Sequence, residues 1–512
     1  MYQRNFDTKL TDWQKSLPIP VYDRNPEYVD FYFRTWEIAR KNLQDIPGMP
    51  QTPYMDEGLI KSDIWIWDTC FMTFFCKYAP DVFPGIETLN NFYMPLHDKI
   101  PLPKVTFDKP SPWNMYKAGE TTQLKLHIPD NPPLFSWAEY SYAMMTGDRE
   151  HLKTLLLEKQ YLQRHFEFLE NLTEAGFVTE YTRAPTCWIK HEHGYFWEGG
   201  RSGMDNTPRG RHGIHAEKDR PEKSDLLWID AIAQQGLNAL YIAKIAELLE
   251  EPEIAAKYRA IHQQLTAKVN ELYWDENDGI YYDINYLTLA KNRCLTPASF
   301  WPLLAEMPDA RQTAKMCKLV EDPAKFGGKV PWKTLVPDDP DYSPSGNYWR
   351  GSMWLPTAYM GCKALESCGR FDLAGECAEN IVAHQYKTWK EYTPHTVWEC
   401  YSPEKAEPAT RNDLNERVRP DFCGWSALGP IALLLENVIG ITGANAFKNE
   451  LHWHTPKTVS GALGVRNYSF GDIKTDLIRS GNTIAAKSNA PYTLIVDGKS
   501  VAVNSGETVI TL

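Results

Sequence analysis

Two acids in this chain have surroundings suited to acid–base chemistry. Asp205 stands in GGRSGMDNTPRG, residues 199–210, as a single carboxylate between a Gly-Ser turn and an Asn-Thr-Pro turn. Aspartate is by itself an ordinary turn residue, but turns on both sides would also hold one carboxylate in a fixed place. Glu399 stands in PHTVWECYSPEKAEP, between Trp398 and Cys400-Tyr401. An acid among apolar neighbours is costly to ionise unless it has a partner; the plainer alternative is a glutamate on the exposed edge of a short strand. Taken together, the pair points to glycoside hydrolysis. That reaction needs one acid to protonate the leaving oxygen and a second carboxylate across the scissile bond.

Three further stretches supply groups that could hold a sugar. In SDIWIWDTCF, Asp68 follows Trp67 and precedes a very apolar run. It reads either as the N-cap of a helix or as a hydroxyl-binding carboxylate beside an aromatic wall. In HIPDNPPLFSWAEY, Asn131 precedes two prolines that suit a helix start. GNYWRGSMWLP places Trp349, Arg350 and Trp354 within a few residues of one another. An arginine among aromatic rings is often only stacked at a helix end, and it could equally orient a polar ligand.

The bulk numbers leave room for such a site. The 512 residues include 18 Trp, 27 Tyr and 20 Phe, and flat rings offer apolar faces to sugar C–H groups. A large core would account for them equally well. The net charge of -12 and the lack of a basic run argue against a nucleic-acid partner. No window reaches the length of a membrane span. Ten cysteines are scattered with no CxxC pair, which gives no support for a zinc site and mildly favours a reducing compartment. The first residues carry no apolar signal region. The chain as given is therefore expected in the cytoplasm, or in the periplasm or outside the cell if a native leader has been removed.

Helical periodicity runs to about residue 445. Leu226, Ile229, Ala233, Leu237 and Leu240 share one face, and twelve segments begin near residues 27, 66, 85, 133, 150, 224, 252, 296, 311, 352, 370 and 424. WIWDTCFMTFFCKYA is apolar nearly all round, as the inner wall of a helical ring would be. The long stretches 99–132 and 174–223 lack periodicity, and long ordered loops are usually functional. After residue 450 the pattern turns to short apolar runs. YTLIVDGKSVAV reads as a hairpin with Asp497-Gly498 at its turn. The expected organisation is a helical catalytic domain over residues 1–449 and a small β subdomain over 450–512. WDENDGIYYD does not have EF-hand spacing and reads as a turn into a short extended segment.

In this order the motifs resemble glycoside hydrolase family 63 and its near relatives, the α-glucosidases and the mannosylglycerate and glucosylglycerate hydrolases, and more remotely trehalases. The resemblance rests on WIWDTCFM, NPPL, SGMDNTPR, NYWRGSMWLPT and VWECYSPE, which span most of the chain. The family's Gln before Pro-Pro is Asn131 here, and Glu399 is followed by Cys400-Tyr401-Ser402 where Tyr-Tyr-Asp or Tyr-Phe-Asp is commoner. The resemblance implies an (α/α)6 barrel with a deep pocket and an exo-acting, inverting α-glycosidase, α-glucoside first and α-mannoside second. Asp205 would be the general acid and Glu399 the general base, with carboxyls roughly 6.5–9.5 Å apart. Asp68 would hold hydroxyls of the terminal sugar, and Trp67, Trp349 and Arg350 would line the pocket. Asn131, Arg209, Trp354 and Trp398 complete the expected substrate contacts. A small carbohydrate is the expected partner, and no cofactor is expected. Some relatives bind calcium, but no residue here is designated as a ligand. Two other readings remain open. One is a sugar epimerase or isomerase, which would need histidine and glutamate proton shuttles; His191, His193, His212 and His215 share the loop of Asp205. The other is a sugar-binding protein without activity.

Overall fold

The computed structural model describes residues 6–58, 64–110, 117–126, 129–174, 186–210, 225–411, 416–456 and 460–512. Six helices form a cycle of contacts. Ile66–Cys76 packs on Phe135–Thr146, which packs on Ile229–Leu248. Trp301–Leu304 and Leu355–Ser367 follow in turn, then the wide π-type helix Leu428–Val438, which returns to Ile66–Cys76. Their composition suits this central place. Every residue of Ile66–Cys76 and of Leu428–Val438 is buried, so neither has a polar face to turn to water.

Amphipathic helices pack around the cycle. Pro252–Leu272 lies along Ile229–Leu248, and Phe371–Glu391 lies along both Leu355–Ser367 and Leu428–Val438. Their sequences mark their ends: Pro252 opens the first of them, and a capping box between Asp309 and Gln312 starts Ala310–Glu321. Some starts differ from expectation. Pro132 and Pro133 lie in the loop before Phe135, and Leu134 is the N-cap residue. The run expected to begin near 352 begins at Leu355, because 349–353 turns sharply before it.

The β region is larger than the expected 450–512. Gly443–Asn445 already pairs with Glu450–Trp453, in a sheet completed by the hairpin Tyr492–Val496 and Lys499–Val503. Asp497 and Gly498 have φ of 47° and 82°, the left-handed pair that a two-residue turn needs. The second sheet contains Ala462–Phe470, Ile473–Ser480, Thr483–Ser488 and Gly506–Thr511. Its edge strand is Ile19–Tyr22, from the other end of the chain. Among the described residues no helix is long and apolar enough to cross a membrane. Residues 274–281 form a small antiparallel turn. Asp275 accepts the backbone N–H groups of Asn277 and Asp278 and pairs with Arg293, as expected of a structural loop.

A small sheet holds up the loop of Asp205. Ile189–His191, Gly194–Phe196, Leu226–Leu227, Asp283–Asn285 and Lys291–Asn292 lie side by side, and Gly199–Ser202 follows directly.

Candidate active site

The start of Ile66–Cys76, the segments before Phe135–Thr146, Leu355–Ser367 and Leu428–Val438, and the loops of Asp205 and Glu399 line a cavity of about 430 Å³. That is room for about one sugar ring and its neighbour, at the lower end of the usual range for small-molecule sites. Asp205, Glu399, Trp67, Asp68, Asn131, Trp349 and Trp354 all line it, so residues from five separated motifs meet at one place.

The wall is aromatic. Trp349 and Trp354 stack with centroids 4.0 Å apart; Trp67 lies 5.9 Å from Trp349, Trp425 lies 5.4 Å from Trp354, and Trp67 and Trp425 are 6.0 Å apart. Trp67 is held from below by Gly203, whose φ is 82°; a Cβ there would sit 2.2 Å from the indole ring. Asn131 bridges three of the motifs. Its Oδ1 accepts the backbone N–H of Trp67 at 3.0 Å, and its Nδ2 donates to the carbonyl of Arg201 at 3.2 Å. Its amide therefore caps the start of 66–76. Asp68 is not the N-cap; Trp65 holds that position, and Asp68 sits in the first turn with an Oδ2 that has no hydrogen-bond partner among the described residues.

Glu399 is 3% exposed, which removes the strand-edge alternative. Oε1 accepts the Tyr348 hydroxyl at 2.7 Å, and Oε2 accepts the backbone N–H of Arg419 at 3.3 Å. Burial pushes its carboxyl up, while the Tyr348 hydrogen bond and the Arg419 and Arg411 charges act against burial. Asp205 lines the cavity and is solvent-exposed there. The protein packed around it, helped by Glu198 and Glu399, pushes its carboxyl up to about 8, with Arg411 opposing. Several carboxylates share this space: Asp68 is also raised, by burial first and then by Asp205 and Glu399.

Three expected contacts lie elsewhere. Arg209 is 1% exposed and turned away beneath the loop. It forms a fork with Asp230 (2.6 and 2.9 Å) and Asp283 (2.6 and 2.9 Å), and its guanidinium carbon lies 4.2 Å from the Trp228 ring centroid. The turn Pro208–Gly210 aims it at the two carboxylates, which a cation in this apolar setting requires. Arg350 points outward, with Nε on the carbonyl of Asn206 and Nη1 3.5 Å from Asp341. Trp398 is buried against Tyr392 and does not line the cavity. Sequence reasoning missed Tyr348, Arg201, Arg411 and Trp425, and also Glu57, Trp65 and Phe422, which line the cavity beside them. Tyr348 and Arg201 lie within stretches already singled out, but nothing distinguishes them there from a core aromatic and a surface cation. Of the four histidines near Asp205, His191 and His193 pack in the small sheet and outside the cavity. His212 and His215 lie outside the described residues. Among those residues no histidine lines the cavity, so a histidine shuttle finds no support there.

The model of the mannosylglycerate hydrolase MGH1-like glycoside hydrolase domain matches residues 97–416. An uncharacterised protein of Borreliella burgdorferi is 24% identical over 474 residues, covering 90% of this chain and 89% of that one. The mannosyl-oligosaccharide glucosidase of Saccharomyces cerevisiae is 26% identical over 320 residues, 56% of this chain and 36% of the yeast protein, so the chain spans about a third of that relative. The family 63 mannosylglycerate hydrolase of Thermus thermophilus, solved with glucose, superposes with a TM-score of 0.54 at 15% identity, over 78% of this chain and 99% of that one. A solved sialidase superposes with a TM-score of 0.69 at 12% identity, over 99% of this chain and 43% of its own; at such identity these likenesses show the fold alone. The domain match covers more than half of the chain, and the protein belongs to the mannosylglycerate hydrolase MGH1-like family and is a glycoside hydrolase.

Proposed function

We propose that this glycoside hydrolase is an exo-acting, inverting α-glycosidase that releases a terminal α-linked sugar, glucose first and mannose second, from an oligosaccharide or small glycoside. The observation that carries the reading is the pairing of two differently treated carboxyls in one aromatic cavity. Asp205 is pushed up to about 8 and so holds its proton at neutral pH. Burial raises Glu399 as well, but hydrogen bonds from Tyr348 and the Arg419 backbone oppose it and favour the ionised form. Environments that divide two acids in this way set up an acid–base pair.

In this mechanism Asp205 gives its proton to the glycosidic oxygen as the bond to the anomeric carbon breaks. Glu399 takes a proton from water, and the water oxygen attacks that carbon from the opposite face. The sugar leaves with inverted configuration, Asp205 is left ionised and Glu399 protonated, and exchange with solvent resets both. The Oδ2 of Asp68 and the Trp349–Trp354 stack would hold the terminal sugar by its hydroxyls and its apolar face. The scheme uses no cofactor. The six-helix cycle supports reading the body as an (α/α)6 barrel with the cavity at one mouth. The mannosyl-oligosaccharide glucosidase and mannosylglycerate hydrolase relatives support a glucosylated or mannosylated substrate.

The test is a panel of α-linked glucose and mannose disaccharides and glycosylglycerates, with the released anomer followed by proton NMR. Release of β-glucose or β-mannose supports the reading. Release of the α-anomer rejects inversion, and no release from any member by a folded protein rejects the substrate class.

A further inference from the structure

Asp205 and Glu399 come from loops far apart in the chain, so something must hold their spacing. The residue after Asp205 makes that connection. Asn206 Nδ2 donates to the carbonyl of Asn347 at 3.0 Å, and Asn206 Oδ1 accepts the backbone N–H of Trp349 at 2.8 Å. These two groups flank Tyr348, whose hydroxyl donates to Glu399 at 2.7 Å. One covalent step and two layers of hydrogen bonds therefore lead from the first carboxyl to the second.

The turn that Asn206 grips cannot be expected to hold itself. Gly346, Asn347 and Tyr348 have φ of 98°, 35° and 64°, so two non-glycine residues in succession are left-handed. Each such residue costs of the order of 1–3 kcal/mol and persists only where its surroundings enforce it. Five backbone groups at the tip are held from outside. Thr410 takes the N–H of Asn347 on its Oγ1 at 3.1 Å and that of Tyr348 on its carbonyl at 2.7 Å. The indole of Trp354 donates to the carbonyl of Tyr348 at 3.0 Å. Asn206 supplies the remaining two, and it is the only one of the three holders that is covalently next to Asp205.

We infer that Asn206 is a positioning residue that sets the acid–base spacing: its amide holds the left-handed turn so that the Tyr348 hydroxyl stays on Glu399, and Asp205 is carried at a fixed offset from that same turn. The inference deepens the acid–base reading of this site and rests on it for the kinetic part. Substituting aspartate should fail as alanine does, because a second oxygen would face the Asn347 carbonyl where a donor is required.

The experiment combines crystal structures of the wild type and of Asn206→Ala with kinetics of Asn206→Ala, Tyr348→Phe and the double variant. In crystals of the variant the Tyr348 hydroxyl should leave hydrogen-bond reach of Glu399, beyond about 3.5 Å. On the substrate found active, each single change should lower kcat/KM about tenfold or more, the scale of a hydrogen bond to a charged group. The double variant should lose little beyond the larger single loss, because both changes remove the same contact. The acidic limb of the pH profile should move upward alike in all three. A Tyr348 hydroxyl still on Glu399 in the alanine variant would overturn the inference, as would additive losses or an unmoved acidic limb. If Asn206→Ala does not fold, Asn206→Asp is put through the same measurements with the same criteria. A wild type inactive on every glycoside would remove the proposed reaction, and the crystal comparison would still decide the role of Asn206.

Discussion

The hydroxyl of Tyr348 lies 2.7 Å from Oε1 of Glu399, inside a cavity that also receives the carboxyl of Asp205. A phenol whose own ionisation is suppressed by burial and by that neighbouring charge can only donate here, so it stabilises the ionised form of Glu399. Tyr348→Phe removes the donor and keeps the ring. The expected outcome is a folded enzyme whose acidic kcat/KM limb moves to higher pH, since Glu399 then needs a higher pH to lose its proton. An unmoved limb in a pH–rate profile would show that this contact does not govern the base.

The two carboxyls themselves give a sharper test. Asp205→Asn and Glu399→Gln should fold normally and each lose roughly 10²–10⁴ in turnover, the range for removing a general acid or base. The Asp205 variant should also lose the alkaline limb, which in the wild type should fall near pH 8 as this carboxyl ionises. Wild-type turnover in both variants would reject the assignment.

Asp205 has a stability consequence of the opposite sign from a paired carboxylate. Its folded value is raised from 3.8 to about 8, so the folded state binds the proton more tightly than the unfolded chain does. Stability must then fall as pH rises through that window. A neutral amide at this position would not carry the penalty, so Asp205→Asn should melt above the wild type at pH 7, and the difference should vanish at a pH of about 3.5, below the unfolded value. Thermal melts at the two pH values measure it; equal shifts at both would mean that the carboxyl is not held neutral.

Much of this architecture is legible in the sequence where the signal is local. The apolar circumference of Ile66–Cys76 marks a central helix, and Asp497-Gly498 marks its hairpin, because both depend on neighbours within a few residues. Pairing of Ile19–Tyr22 with Ala462–Phe470 is not legible, since register across almost the whole chain leaves no periodic trace. The site shows the same division. Asp205 and Glu399 stood out by their surroundings. Side-chain direction did not: in GNYWRG the left-handed turn sends Tyr348 and Trp349 into the cavity and Arg350 out of it, and in TPRG the short 3-10 turn sends Arg209 down. No spacing rule predicts these turns.

Arg209 then becomes a stability residue with a functional reach. Asp230 and Asp283 are each about 2% exposed, and the guanidinium is their shared counter-charge. Arg209→Met would leave two carboxylates buried together, and breaking a buried pair in this way typically costs about 3–5 kcal/mol. Arg209→Lys should recover only part of that, because an ammonium cannot make both forks. Urea unfolding orders the three proteins: wild type, then lysine, then methionine. Activity should fall in the same order, since the clamp anchors the loop four residues beyond Asp205; a lysine variant as stable as the wild type would show that the fork geometry contributes nothing.

Gly203 offers a test of the pocket wall. With φ at 82° and a Cβ position 2.2 Å from the Trp67 ring, alanine is penalised twice, by its backbone and by the indole. The indole must move, and Trp67 is packed against Trp349 and Trp425. Gly203→Ala should destabilise the protein by about 1–3 kcal/mol and raise KM more than it lowers kcat, because the change falls on the wall that grips the sugar and leaves Glu399 and Tyr348 in place. Steady-state kinetics and a thermal melt on the same sample separate the two effects. A variant with lowered kcat and unchanged KM would instead place the damage on Asp205, two residues away on the same turn.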